Sequence, residues 1–196
     1  MNSQIGQDQW ILEKVAGQGF FVDIGAYDGV ACSNTLSLEQ AGWKGICVEP
    51  LPSMFDAMAK VRSCKCRRVA VAGVGGQMLR FRVDAMNSGI EAYLPDGHDE
   101  WPLIEVETIS LNELLEQENA PQWIDYISID TEGSEVDILS TFDFDRWNVA
   151  NWSVEHNDYR YGHDERSREL IRLFRSHGYD TAIVEQDIWC SRDKRR

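Results

Sequence analysis

The segment Phe20-Phe21-Val22-Asp23-Ile24-Gly25-Ala26-Tyr27-Asp28-Gly29 constrains this chain more than any other. An apolar run that closes on an acidic residue and a glycine reads as a buried strand delivering its carboxyl end to a ligand crevice. Gly25 and Gly29 permit a tight turn and close approach of the backbone to a bound molecule. A dinucleotide fingerprint would require Gly-x-Gly-x-x-Gly, whereas this segment offers Asp-x-Gly-x-x-x-Gly. An acidic side chain there repels a pyrophosphate and favours a cationic or hydroxyl-rich ligand. The expectation is S-adenosylmethionine rather than a nicotinamide dinucleotide.

Strand candidates recur at residues 20–24, 45–49, 68–72, 126–130 and 152–155, with helical segments between several of them. One helix is expected from Ser33 to Gly42, and another from Ser53, with Phe55, Met58, Ala59 and Arg62 at helical spacing. Ser110 and Glu113 form a capping-box pattern ahead of Leu114 and Leu115. A fourth helix follows Gly133, and the last runs from about Asp164 to Gly178 with Leu170, Leu173 and Phe174 inward. Such alternation predicts an α/β fold with a largely parallel sheet and helices on both faces. Two segments break it. Residues 77–83 with 104–108 read as an inserted strand pair, and 182–189 as a final strand or hairpin, antiparallel at one edge. The connection 84–102 is long enough to be a lid or a mobile loop. Without repeats or linkers, residues 1–196 are expected to form one domain.

A net charge of −14 opposes binding to phosphate backbones, so nucleic acid is not the expected partner. No apolar segment approaches the ~20 residues of a membrane span, and the N-terminus lacks the basic and apolar regions of a secretion signal. Five irregularly spaced cysteines argue for free thiols and a cytoplasmic protein, with Cys64 and Cys66 too few for a metal motif. The basic tail 192–196 reads as a solvated terminus. A homo-oligomer is left open.

Ligands of open parallel sheets bind beyond the carboxyl ends of the strands. Asp23, Glu49, Asp130 and Glu155 stand at those expected ends. Any one could simply cap the next helix, but four at one edge point to a shared site. Glu49 follows Gly25 at close to the ~20-residue interval at which a carboxylate meets ribose hydroxyls.

Taken together, several motifs resemble the FkbM family of S-adenosylmethionine-dependent methyltransferases. They are Ser3-Gln4-Ile5-Gly6-Gln7-Asp8, the segment 21–29, Ser33-Asn34-Thr35, Gly42-Trp43-Lys44-Gly45 leading into Val48-Glu49-Pro50, and Ile124-Asp125-Tyr126-Ile127-Ser128-Ile129 before Asp130-Thr131-Glu132-Gly133-Ser134-Glu135. The resemblance runs from about Ser3 to Phe142 and implies a Rossmann-like class I methyltransferase fold, a seven-stranded sheet whose last strand is antiparallel. It places Asp23, Gly25, Ala26, Asp28 and Ser33 around the cofactor. Glu49 would hold the ribose, Pro50 and Leu51 would line the adenine, and Gln7, Asp8, Asn34 and Asp130 would lie near the reacting end. Gln7 and Asp8 read equally well as caps of an N-terminal helix.

Asp130 with Glu155 and His156, or with Asn157, resembles the metal-binding arrangement of catechol-type and macrolide-sugar O-methyltransferases. Carboxylates suit Mg²⁺ and a histidine would favour a transition metal. The implied reaction is O-methylation of a hydroxyl, on a sugar of a glycan, glycolipid or glycosylated metabolite. Asp130, Glu132 and His156 are the candidate catalytic residues, with His156 a base or a ligand. The aromatic loop 157–163 reads as a sugar platform or as packing. The alternatives are a non-catalytic cofactor-binding module, a nicotinamide-dependent oxidoreductase, which lacks its glycine fingerprint here, and an RNA methyltransferase, disfavoured by the acidity.

Overall fold

The computed structural model describes residues 2–95, 97, 100–158, 162 and 164–192. Tyr159, Arg160, Tyr161 and His163 of the expected aromatic loop, and the tail beyond Arg192, lie outside the described residues.

Strands β1 (Phe20–Ile24), β2 (Lys44–Val48), β3 (Lys65–Arg67), β8 (Trp123–Ile129), β9 (Asn148–Glu155), β10 (Asp180–Val184) and β11 (Asp187–Ser191) form the main sheet. Its order is β10-β11-β9-β8-β1-β2-β3. The five strands from β9 to β3 are parallel neighbours, while β11 runs antiparallel to both β9 and β10. The antiparallel strand expected at this end is thus β11, seated one place in from the edge. The segment expected as a final strand or hairpin is the β10–β11 hairpin, turning at Glu185-Gln186.

Strand periodicity explains the central position of β1. Val22 and Ile24 pack into the larger core with Ile46, Val48, Ile127 and Ile129. Phe21 points to the other face, against Ile11, Leu38, Trp43 and Met58. Asp23 shares that second face by alternation, so a carboxylate is carried into a buried layer.

Helices α1 (Gln7–Lys14), α2 (Leu36–Gln40) and α3 (Pro52–Val61) precede the middle of the chain. They are followed by α4 (Leu111–Gln117), α5 (Glu135–Ser140) and α6 (Glu165–Ser176). The capping box at Ser110 and Glu113 is formed in both directions. Helix α2 is shorter than the expected span from Ser33, because the Ser33 hydroxyl accepts the amide of Leu36 and holds the preceding turn outside helical geometry.

The inserted strands pair as expected. β5 (Met78–Arg82) lies antiparallel to β7 (Leu103–Ile109) in a second sheet of order β4-β7-β5-β6, completed by β4 (Ala70–Val71) and β6 (Gly89–Ile90). The strand expected at 68–72 is only β4, Ala70–Val71, and it belongs to the second sheet; the edge strand of the main sheet, β3, ends before it at Arg67. Arg67 pairs with Val48 at the edge of the main sheet, whereas Ala70 and Val71 pair with Thr108 and Ile109 of the insert. The described part of the 84–102 connection holds β6, paired with β5. It is anchored by Tyr93, whose hydroxyl donates to Asp137 of α5 at 2.7 Å, on the same oxygen that accepts the Gly73 amide.

Gly25 is where the parallel strands meet the loops they deliver. Its φ is 85°, and a Cβ there would lie 1.7 Å from the carbonyl oxygen of Asp130. Its amide and that of Ala26 both donate to the Val48 carbonyl, while the Asp130 amide donates to the Ile24 carbonyl at 2.9 Å. A side chain at this position would separate β1 from β8. We expect Gly25→Ala to lower the stability of the fold by about 2 kcal/mol or more, read as a lower urea midpoint in equilibrium unfolding.

Candidate active site

The carboxyl ends of β1, β2, β8 and β9 open on one edge of the main sheet, as the parallel topology requires. A cleft of about 850 Å³, counted out to its open mouth, lies there. Its floor is Asp23 to Tyr27 and Val48 to Leu51, with Asp130 to Glu132 and Ser134 beside them. The loop carrying Ala31 to Asn34 forms one wall. The insert supplies the opposite, largely apolar wall through Phe81, Ala85, Met86, Ser88 and Ile90.

Asp23, Gly25, Ala26, Ser33, Asn34, Glu49, Pro50, Leu51, Asp130 and Glu132 of the expected site all line this cleft. Gln7, Asp8, Asp28, Glu155 and His156 stand outside its lining. Asp28 instead accepts the amides of Val30 and Ala31, closing the turn after Gly25. Asp8 is buried and ties down the N-terminal segment, accepting from the Asn2 amide and the hydroxyls of Ser3 and Ser37. Gln7 donates to Asp187 at 2.9 Å. The cap of α1 is Gly6 rather than either of these side chains.

Glu49 is 5% exposed and shapes the second turn of the floor. Its two oxygens accept the amides of Tyr27 at 3.0 Å and Leu51 at 2.8 Å. Burial pushes its carboxyl up to about 7; those two amides work against the shift, and the charges of Asp130 and Asp23 add to it. Each oxygen keeps acceptor capacity for a further donor. Burial also raises Asp23, against the opposing pull of Arg62 and the Thr35 hydroxyl, which donates to Asp23 at 2.5 Å. Asn34 donates to the Ser128 hydroxyl at 2.9 Å, while its own buried carbonyl oxygen has no hydrogen-bond partner among the described residues. A buried acceptor of this kind fits a donor arriving with a ligand.

Behind Asp130 the carboxylates converge. Asp130, Glu132 and Glu155 each offer an oxygen within 4.8 Å of the others. Asn157 donates from Nδ2 to Glu132 at 2.9 Å and also to Glu155. Its Oδ1 is buried without a partner among the described residues. Burial drives the Glu155 carboxyl well above its ordinary value, helped by the charges of Asp130 and Glu132. His156 lies outside this group. Its Nε2 is 3.3 Å from the Glu185 carbonyl and its Nδ1 3.3 Å from the Asp158 carboxylate.

Two participants were not foreseen from sequence. Asp187, opposite Glu155 in the β9–β11 pairing, is pushed up to about 7 by burial and the charge of Asp130. Glu135, completely buried, accepts the amides of Thr131 and Gly133 and the Thr131 hydroxyl, fixing the loop that carries Glu132. Arg166 of α6 donates to both Glu135 and the Gly133 carbonyl. The spacing Thr131-x-x-x-Glu135 is a local signal for a loop-closing pair, whereas nothing local points to the partner from α6.

Glu49 and Asp187 are raised from ordinary values of 4.5 and 3.8. A carboxyl raised in this way favours the folded state below its unfolded pKa and loses that contribution as pH rises through the folded value. Glu39, held down to about 2, acts below this window. The ligand-free protein should therefore lose stability as pH rises from about 4 to about 7, by on the order of a few kcal/mol per group. Asp187→Asn, whose carbonyl can still accept from Gln7, should flatten the dependence of Tm on pH measured by calorimetry.

A family model described as the methyltransferase FkbM domain matches residues 23–181. A TehB-like SAM-dependent methyltransferase from Corynebacterium glutamicum ATCC 13032 Kitasato is similar in structure, with a TM-score of 0.53 and 9% identity over 97% of this chain and 87% of that one. The METTL16 MTase domain is similar with a TM-score of 0.51 and 12% identity over 94% of this chain and 62% of that one. At such identities the likeness concerns the fold alone. No curated protein matches the chain.

Proposed function

The chain belongs to the FkbM family of S-adenosylmethionine-dependent methyltransferases, and from that premise we propose that its 196 residues act as one domain that methylates a hydroxyl on a neutral, sugar-like acceptor. The observation that carries this reading is the charge of the cleft. Asp23, Glu49, Asp130 and Glu132 line it, and no Lys, Arg or His does so among the described residues. Such a site favours a cationic ligand and hydroxyl donors, and it disfavours phosphates, carboxylates and nucleic-acid backbones. When bound, the cofactor supplies a methyl group on a positively charged sulfur.

The chain's own groups divide the remaining work. Glu49 would accept hydrogen bonds from the ribose hydroxyls, and Pro50, Leu51, Phe81 and Ile90 would enclose the base. Asp23 and the unpartnered carbonyl oxygen of Asn34 would face the amino-acid part. The insert carrying Met86 and Ser88 would cover the cleft and exclude water. Asp130 and Glu132, beside the floor, would take the proton of an acceptor hydroxyl. His156, turned towards Glu185 and Asp158, is less well placed for that role.

A divalent cation fits the group behind them. Asp130, Glu132 and Glu155 would form an oxygen-only donor set of the kind Mg²⁺ prefers, with Asn157, which donates to Glu132 and Glu155, beside it. Bound there, the ion would lower the pKa of the acceptor hydroxyl. All five cysteines are free thiols, which supports a cytoplasmic setting. No helix of the described residues is long and apolar enough to cross a membrane.

Calorimetric titration with S-adenosylhomocysteine, with NADH as control, tests the cofactor reading. Saturable binding of the homocysteine compound alone is expected, and silence from a folded sample would sink the assignment. Glu49→Ala should weaken that binding by about 1.5–3 kcal/mol for each charge-assisted bond lost. A separate titration with Mg²⁺ should show binding that Asp130→Asn abolishes. Heat indistinguishable from dilution would remove the metal while leaving the cofactor reading intact.

A further inference from the structure

Arg62 caps the C-terminal end of α3 and lies outside the cleft lining. Arginine is almost never fully buried unless its charge is paired, yet this side chain is completely enclosed. Every nitrogen of its guanidinium has a partner. Nε donates to Glu39 at 2.6 Å. Nη1 donates to the Gly29 carbonyl at 3.3 Å and the Ser33 hydroxyl at 3.2 Å, and Nη2 to the Thr35 hydroxyl at 2.9 Å. The Thr35 hydroxyl in turn donates a hydrogen bond to Asp23 at 2.5 Å.

These acceptors bracket the turn 29–35, whose residues Ala31 to Asn34 form one wall of the cleft. Asp23, at the far end of the chain of bonds, forms part of the floor. Gly29 makes room for the arrangement. Its φ is 78°, and a Cβ there would meet Cγ of Arg62 at 2.8 Å. The cation also sits 5.6 Å from the centre of the Phe21 ring, one residue below Val22 on β1. One side chain therefore joins α2, α3, β1 and the turn.

We propose that Arg62 is a positioning residue for the cofactor: its guanidinium fork fixes the wall 29–35 and, through the Thr35 hydroxyl, the orientation of Asp23, without touching the cofactor itself. The proposal rests on the S-adenosylmethionine reading of the cleft. The charge of Arg62 also opposes the effect of burial on Asp23. Besides Arg62 of α3, the titratable groups that act on Asp23 or are acted on by it are Glu49 at the end of β2 and Tyr126 of β8. Cys47 of β2 is its neighbour in the sheet. Arg62 is the cation of this set, so its loss should raise the pH at which Asp23 becomes protonated.

The test compares wild type, Arg62→Met and Arg62→Lys by calorimetric titration with S-adenosylhomocysteine across pH, with thermal unfolding of the same samples. Methionine keeps much of the aliphatic stem and removes the charge and the fork. Arg62→Met should bind about tenfold more weakly or worse at neutral pH, equivalent to losing one or two charge-assisted hydrogen bonds. Its deficit should deepen towards acid. Arg62→Lys should restore the acid limb but remain several-fold weak, because an ammonium cannot reproduce the planar fork.

A folded Arg62→Met protein with wild-type affinity and pH profile overturns the proposal. So does a loss that is flat with pH and tracks a lowered Tm, which marks a purely structural role. If Arg62→Met does not fold, Arg62→Lys decides: wild-type affinity overturns the proposal, and a several-fold loss supports it. Failure of the wild-type protein itself to bind S-adenosylhomocysteine overturns the cofactor reading beneath the proposal, so the two failures are told apart.

Discussion

The contact on which the rest depends is the backbone crossing at Gly25, where the carbonyl of Asp130 occupies the space a Cβ would need. Only a residue without a side chain lets β1 and β8 remain adjacent up to their ends while the chain turns at positive φ. Because the strands stay paired to that point, the residues that follow them emerge side by side. Asp23, Glu49 and Asp130 come from three separate segments and line one cleft for this reason. The amide of Asp130 bonds to Ile24, and the Val48 carbonyl accepts from both Gly25 and Ala26, so main-chain bonds tie the three strand ends to one another. The side chains are left available for chemistry.

That convergence has an electrostatic consequence. Burial raises Asp23, Glu49, Glu155 and Asp187 in the ligand-free protein. Asp130 adds to the effect on three of them, because like charges in a poorly solvated site disfavour one another's ionised forms. A site of this kind is strained by its own charge until something positive arrives. A sulfonium cofactor and a divalent cation would both relieve it, which is why the arrangement supports the proposed chemistry. Arg62 relieves part of it from within, on the side of Asp23.

Side-chain direction explains where expectation and structure diverge around β9. Successive residues of a strand point to opposite faces, so Glu155 and His156 separate even though they are adjacent in sequence. Asn157, at φ 52°, brings its amide back beside Glu155 and Glu132. Asp187 stands at the amino end of its strand, where the topology of a parallel sheet would not place a ligand-facing acid. Strand β11 enters antiparallel, so its first residue rather than its last stands level with Glu155. Arg62 was visible only as a polar member of a helical stripe. Its meaning lies in Glu39, Ser33 and Thr35, brought to it from 23 to 29 residues away.

The sequence by itself determined the class of fold, the acidic strand ends, the glycine turn after β1 and the capping box at Ser110. Each is a local pattern: strand and helix periodicity, backbone conformation and end chemistry act within a few residues. The tertiary structure decided which carboxylates meet, which face His156 takes, which sheet the strand at 70–71 joins, and what holds the wall of the cleft. Those outcomes depend on strand order, register and direction. They are set by how the whole core packs, and no window of the chain contains that information.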